Sequence, residues 1–361
     1  MKGSNAAGYA RQTETLPLKL CSLLAVSMLL GAMTTVALGQ ECANCALPDG
    51  SSVPASASEW SFKKEVNEVN VVFIAAHHGK FISGLKPDDI VVRDDSKAPE
   101  AVLRFRGEAD LPLRVALLVD TSDSLTERFR FEQAAASSFL RHSLNQSSDL
   151  GFVMGFSDDP RLMQDFTADP ELLAKGVERL KIGGGTALYD AVADSCRRLV
   201  EHPEPDMTAR VLVILSDGQS NAGTLHLDDA IDAAARSEVA IYTISTHYPV
   251  MPTDMDDPSA VEGNKNLRKL AEQTGGRALY PANPKEIGQA FEKITEELRS
   301  RYAVSYRPAD FSNDGHYRKI TIEARQEGKK LDVRARKGYF ARPAPSATPA
   351  SNPDSVVAAV R

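Results

Sequence analysis

Two apolar runs constrain this chain more than any other feature: Leu113-Arg114-Val115-Ala116-Leu117-Leu118-Val119 and Val211-Leu212-Val213-Ile214-Leu215. Their length and content of branched aliphatic side chains suit strands buried on both faces, which belong inside a parallel sheet covered by helices on either side. Each run stops at a polar turn. The first gives way to Asp120-Thr121-Ser122-Asp123-Ser124 and the second to Ser216-Asp217-Gly218. In open parallel sheets the loops splay apart at the C-terminal ends of the strands, and the crevice there is where ligands bind.

The segments around these runs alternate between strand and helix signals. A helix with Phe131, Ala135 and Phe139 on one face follows the first run, and strands are expected over 149–156 and 162–166. Helices are expected over 171–180, 187–200 and 227–235, with a strand over 239–245. Leu267, Leu270 and Ala271 mark a further helix that Gly275-Gly276 stops, because glycine adopts the left-handed conformation of a C-terminal cap. Residues 277–280 close the sheet, and Ile287, Phe291, Ile294 and Leu298 stripe the last helix. The pattern predicts an α/β fold with a doubly wound, mostly parallel six-stranded sheet over 111–300. Short alternating segments at 63–108 and 301–341 read as β-strands. Each set is too small for its own core, so they are expected to pair into one flanking β module. His77-His78-Gly79-Lys80 reads as a turn, since no third ligand lies at metal-binding spacing.

With 361 residues, 42% hydrophobic and 25% charged, there is room for one large and one small domain. Lys2, Arg11 and Lys19 precede an uncharged stretch from Leu20 to Leu38, and Ala37-Leu38-Gly39 offers a small-x-small cleavage site. Residues 1–39 therefore read as a secretory signal peptide, with an uncleaved membrane anchor as the alternative. Export to the periplasm or beyond follows from either. Removing three basic residues and one acidic one takes the formal charge from −7 to −9, which argues against nucleic acid as a partner. The twelve Lys and Arg against five Asp and Glu between Arg299 and Arg342 read as a solvated strand face. Residues 40–62 have the composition of a linker and 342–361 that of a disordered tail. Cys42 and Cys45, in that linker, suit a local disulfide or loose metal clip. Cys196 shares helical spacing with Leu188, Val192 and Leu199 and reads as inert core.

An Asp-x-Ser-x-Ser turn supplies one carboxylate and two hydroxyls, hard oxygen donors suited to Mg²⁺ or Mn²⁺. Gly183-Gly184-Gly185-Thr186 is a glycine hinge that presents one more hydroxyl at the start of a helix, and Asp217 adds a second carboxylate. In order and spacing these three stretches resemble the metal-ion-dependent adhesion site of a von Willebrand factor A domain. The flanks, through Gly84-Leu85-Lys86-Pro87-Asp88-Asp89 and Val333-Arg334-Ala335-Arg336-Lys337-Gly338-Tyr339, resemble an exported group of such proteins of the acidobacterial type. The resemblance implies direct ligation by Ser122 and Ser124, ligation by Thr186 in one state, and Asp120 and Asp217 acting directly or through water. It also implies an open coordination position, filled by an Asp or Glu carboxylate of a protein partner, and no catalysis. Asp123 departs from the glycine that many relatives carry there.

Each residue also has a plainer reading. Ser124 begins a capping box with Glu127, Thr186 could cap the helix after the hinge, and Asp217 could support an Asx-turn. Asp158-Asp159 and Asp254-Met255-Asp256-Asp257 belong on the same rim, where they solvate it or form a second cation site. Gly218-Gln219-Ser220-Asn221-Ala222-Gly223 approaches a nucleophile elbow, but its second glycine comes one residue late and no histidine is placed as base, which leaves a serine hydrolase as the weaker alternative. Ser122 stands where an aspartyl-phosphate phosphatase needs its second aspartate. A structural envelope component with a purely stabilising metal is the remaining rival.

Overall fold

The computed structural model describes residues 68–107, 111–123, 129–202, 207–248, 257–310, 312 and 314–341. The leader, the linker with Cys42 and Cys45, Ser124 and the C-terminal tail lie outside the described residues.

The chain enters through strands β1 (Val69–His77), β2 (Lys80–Phe81), β3 (Ile90–Asp94) and β4 (Ala101–Arg106). The α/β part follows as β5 (Leu113–Asp120), α1 (Phe129–Ser143), β6 (Leu150–Phe156), β7 (Pro160–Thr167), α2 (Pro170–Glu178), α3 (Leu188–Glu201), β8 (Ala209–Ser216) and α4 (Leu227–Ser237). It continues through β9 (Val239–Ser245), α5 (Pro258–Thr274), β10 (Ala278–Leu279) and α6 (Ile287–Arg299). The chain returns to strands in β11 (Arg301–Arg307), β12 (Tyr317–Gln326), β13 (Lys329–Lys330), β14 (Asp332–Ala335) and β15 (Gly338–Phe340).

The central sheet has six strands in the order β10-β9-β8-β5-β6-β7. All pairs are parallel except the β6–β7 edge. Every residue of β5 is buried, as its unbroken apolar run requires. Alternate side chains serve opposite layers. Val115, Leu117 and Val119 pack with α1, α2 and α6, whereas Ala116 and Leu118 pack with α3, α4 and α5. Cys196 sits in the second layer, and burial pushes its thiol up to about 12, which keeps it unreactive.

Strand order explains where a site can form. From β5 the chain moves outward to β6 through a helix on one face; from β8 it moves the other way to β9 through a helix on the opposite face. The β5 and β8 loops therefore diverge, and the sheet's topological switch point lies between them.

The flanking strands interleave the two ends of the chain. One sheet runs β14-β1-β11-β4, and in the other β12 pairs with β3, β13 and β15. Their shared core includes Phe73, Tyr302, Val304, Ile320 and Ile322. Buried Asp94 joins the two sheets by accepting from the hydroxyls of Tyr306 at 3.0 Å and Tyr339 at 2.8 Å. The exposed–buried alternation of β12 is that of a strand with one face in solvent.

Two expectations need correction. Phe131 is 54% exposed; the buried stripe of α1 is Phe129, Ala136, Phe139 and Leu140, because the helix is turned relative to a face starting at Phe131. The basic excess after Arg299 is not all solvated. Arg301 and Arg336 are buried where the β module meets the sheet, although Lys329 and Lys330 are exposed.

Candidate metal centre

Asp120 ends β5 and is 1% exposed. Its Oδ1 accepts from the Ser122 amide at 2.9 Å, and its Oδ2 accepts from the Ser216 hydroxyl at 2.8 Å. The Ser122 hydroxyl bonds to the same carboxylate. Ser216 in turn accepts from the Gly218 amide at 3.1 Å, so one hydroxyl ties the end of β5 to the turn after β8. The sequence shows Ser216 only as the first residue of a polar turn, because its partner Asp120 lies 96 residues earlier.

Burial pushes the Asp120 carboxyl up to about 6; the hydrogen bonds from Ser122 and Ser216 act against that rise, and repulsion from the Asp217 carboxylate adds to it. Asp217 Oδ1 accepts from the Gln219 amide at 3.0 Å, the Asx-turn expected of it, which leaves Oδ2 without a hydrogen bond. Neither carboxylate has an ion-pair partner among the described residues.

Backbone contacts place Asp217. Gly218 has φ +82°, and a Cβ there would meet the Gly263 carbonyl oxygen at 2.2 Å; a Cβ on Gly263 would meet the Asp217 carbonyl oxygen at 2.2 Å. Glycine inside a helix is unfavourable. Gly263 in α5 is what lets the loop after β8 lie directly on that helix. An isolated glycine in a helical run was the available signal.

The hinge brings in Thr186. Gly183 donates to the Thr121 carbonyl at 2.8 Å, Asp123 donates to the Gly184 carbonyl at 3.3 Å, and Ala187 donates to the Ser157 carbonyl at 2.7 Å. Asp158 Oδ1 accepts from the Gly185 amide at 2.7 Å, so this rim carboxylate holds the hinge. Asn221 fixes Thr186 from the other side, accepting from its amide at 2.7 Å and donating to its carbonyl at 3.0 Å. Helix α3 has Ala187 at its N-cap with no side-chain cap bond, so Thr186 does not serve as the cap. Its residue is 4% exposed, yet its hydroxyl makes no hydrogen bond to the protein among the described residues.

Other candidates have structural roles. Asp257 caps α5, accepting from the Ser259 amide at 3.0 Å; residues 254–256 lie outside the described residues. The Ser220 hydroxyl donates to the Thr186 carbonyl at 3.2 Å. Among the described residues no three His, Cys, Asp or Glu side chains cluster as a metal site, so the candidate centre rests on two carboxylates and hydroxyls. That set fits a hard divalent cation: the donors are all oxygen, the two carboxylates repel one another without an ion-pair partner among the described residues, and the Thr186 hydroxyl lies unengaged on a loop tied to theirs. Asp120, at the end of β5, and Ser122, Thr186 and Asp217, on the loops, are tied together by the bonds above; Ser124 is outside the described residues.

Residues 115–219 match the von Willebrand factor type A domain family. This chain contains a von Willebrand factor A domain. The matched span begins in β5 and ends just beyond Asp217. No curated protein matches the chain in sequence. Among solved structures it is similar to an aerotolerance-related membrane protein of Bacteroides fragilis, at 18% identity and TM-score 0.42, over 52% of this chain and 98% of the other. It is also similar to the von Willebrand factor domain of the pilus tip protein Mfa5 of Porphyromonas gingivalis, at 14% identity and TM-score 0.41, over 52% and 94%. Proximal thread matrix protein 1 of the mussel byssus, with a zinc-occupied adhesion-site motif, aligns at 13% identity and TM-score 0.43, over 57% and 50%. No helix among the described residues is long and apolar enough to cross a membrane.

Proposed function

We propose that the A domain is a divalent-metal-dependent protein-binding module, exported by residues 1–39, that recognises a carboxylate on its partner. The observation that supports it is that loops tied together at the β5–β8 switch point carry two carboxylates without an ion-pair partner and a threonine hydroxyl without a hydrogen-bond partner among the described residues. Asp120, Ser122, Ser124, Thr186 and Asp217 would hold Mg²⁺ or Mn²⁺. The bound ion would supply a positive centre for an anionic oxygen from the partner.

The protein's own residues would do the rest. Ser216 and the Ser122 amide orient the Asp120 carboxylate, Asn221 and Asp158 hold the hinge, and the Gly218–Gly263 contact fixes Asp217. Asp123, Asp158 and Asp159 make the rim acidic, so an acidic partner is repelled until the ion is bound. The Thr186 hydroxyl, without a hydrogen-bond partner among the described residues, is the donor able to join the ion when the partner arrives.

A pull-down from envelope and culture fractions tests this reading. A partner is expected to be retained in Mg²⁺ and lost in chelator, and Thr186→Ala is expected to weaken its retention more than it weakens metal binding. A partner held equally well in excess chelator would leave the metal, if bound, a purely stabilising role.

A further inference from the structure

At the opposite end of the sheet the β module closes over the start of β8 and β9, leaving a cavity of about 40 Å³. Asn70, Arg210, Glu238, Arg301, Arg334 and Arg336 are among the residues lining it. It lies one strand length from Asp217, roughly 20 Å along β8.

Among the described residues the guanidinium groups there are unequally paired. Glu238 is shared by Arg336 at 3.2 Å and Arg210 at 3.8 Å. Buried Glu297 is shared by Arg277, at 2.7 Å, and Arg334. Among the described residues the Arg301 side chain makes no hydrogen bond or ion pair, though the residue is only 5% exposed, and its Nε and Nη1 are buried without an acceptor. The remaining nearby carboxylate, Asp149, is engaged by the Leu113 and Asn145 amides and the Ser148 hydroxyl. Among the described residues Arg301 is thus left without an acceptor, and Arg336 has only a share of one carboxylate.

Arg336 adds directed donors. It is 9% exposed; Nη2 donates to the Asn70 carbonyl at 2.7 Å and to Glu238, but Nε and Nη1 have no acceptor. Burial holds the Arg301 guanidinium down at about 10, still well above neutrality, so it remains a cation. A buried, unpaired cation is strongly unfavourable, and buried N–H groups without acceptors add to the cost. Both residues line this cavity, where an anion would offer each an acceptor.

We propose that this cavity is a binding site for a small inorganic anion of about the size of chloride, held by Arg301 and Arg336, which fastens the β module to the floor of the A domain. The size follows from the volume: the cavity has room for about three water molecules, too little for a nucleotide or an organic acid. Glu238 disfavours an anion but is already neutralised by two arginines. The orphaned Asn70 Oδ1 accepts from a water beside the anion, or the amide turns over and presents its NH₂ group.

The test is the melting midpoint of the purified chain in chelator, which removes any contribution from the candidate metal centre and makes the result independent of that reading. Chloride is exchanged for gluconate, too bulky to enter, at constant ionic strength. The midpoint is expected to rise saturably with chloride, by about 5 °C at a hundredfold excess over Kd. Arg301→Met is expected to abolish the rise, while exposed Arg197→Met keeps it. Equal midpoints in the two salts, or a full response in Arg301→Met, would overturn the proposal. Crystals of the unaltered chain grown in bromide decide the matter should Arg301→Met not fold: an anomalous peak between Arg301 and Arg336 supports the site, and ordered water alone there refutes it.

Discussion

At the C-terminal edge of the central sheet, Asp120 and Asp217 stand close enough to repel one another, with no basic ion-pair partner among the described residues. At the N-terminal edge, Arg301 and Arg336 are buried with guanidinium nitrogens that lack acceptors. The first edge is held by hydrogen bonds among loops and by backbone contacts at glycine. The second is covered by another layer of strands. The contrast teaches that both edges store uncompensated charge, but only the loop edge leaves an approach for a macromolecule. The covered edge has room for no more than a small ion.

The largest effect should come from removing the cover. A chain ending at Ser300 loses β11, which lies between β1 and β4, and with it Tyr302, Val304 and Tyr306 from the core of the module. Such a chain is expected to aggregate or lose its cooperative melt. A melt matching that of the full chain would show that the cover is dispensable and the two edges are not coupled through the fold.

Next in size is Gly263→Val, whose Cβ would fall 2.2 Å from the Asp217 carbonyl oxygen. Forcing the loop off α5 should cost about 3 kcal/mol in chemical denaturation. It should also weaken Mg²⁺ binding, because Asp217 moves with the loop. Retained stability together with unchanged metal affinity would remove backbone contact as the device that builds this edge.

Ser216→Ala leaves the ligands in place and removes the hydroxyl that orients Asp120 Oδ2. Loss of such an outer partner is expected to lower metal affinity about 10- to 100-fold. Titration with Mn²⁺, followed by electron paramagnetic resonance, would measure it.

A smaller effect should appear with pH. The folded-state value of Asp120, about 6, lies above the ordinary value of 3.8, so the metal-free fold holds this proton more tightly than the unfolded chain does. This group's contribution to stability is therefore present at low pH and is lost as pH rises from about 4 to about 6. Mg²⁺ should offset that loss at neutral pH, and its affinity should fall about tenfold between pH 6.5 and 5 as the proton competes. Melting curves across this range with and without Mg²⁺ check the sign.

Much of the fold was legible because strands buried on both faces leave continuous apolar runs. Leu113 to Val119 could be little else, and β9 occupies the span expected of it, 239–245. The stripe Ile287, Phe291, Ile294 and Leu298 is buried throughout. What could not be read was long-range packing. Arg301 and Arg336 look like surface residues in a basic stretch, and only the docking of β1 and β14 beside the sheet buries them. Phe131 obeys a helical spacing but faces solvent, because its helix contacts the sheet along the neighbouring stripe. At the candidate centre the ligand types showed in the sequence. Ser216, Asp158 and Gly263 did not, since their partners lie 96, 27 and 46 residues away in the chain.

The central claim is that the loop edge binds a divalent ion through Asp120. Calorimetric titration of Mg²⁺ into the metal-free chain at pH 7.5 tests it most directly, with Asp120→Ala and Ser220→Ala beside it. One binding event is expected for the unaltered chain and for Ser220→Ala, with affinity at least about 100-fold weaker in Asp120→Ala while its circular dichroism is unchanged. Equal affinity in Asp120→Ala and the unaltered chain, or no binding to either, would contradict the account.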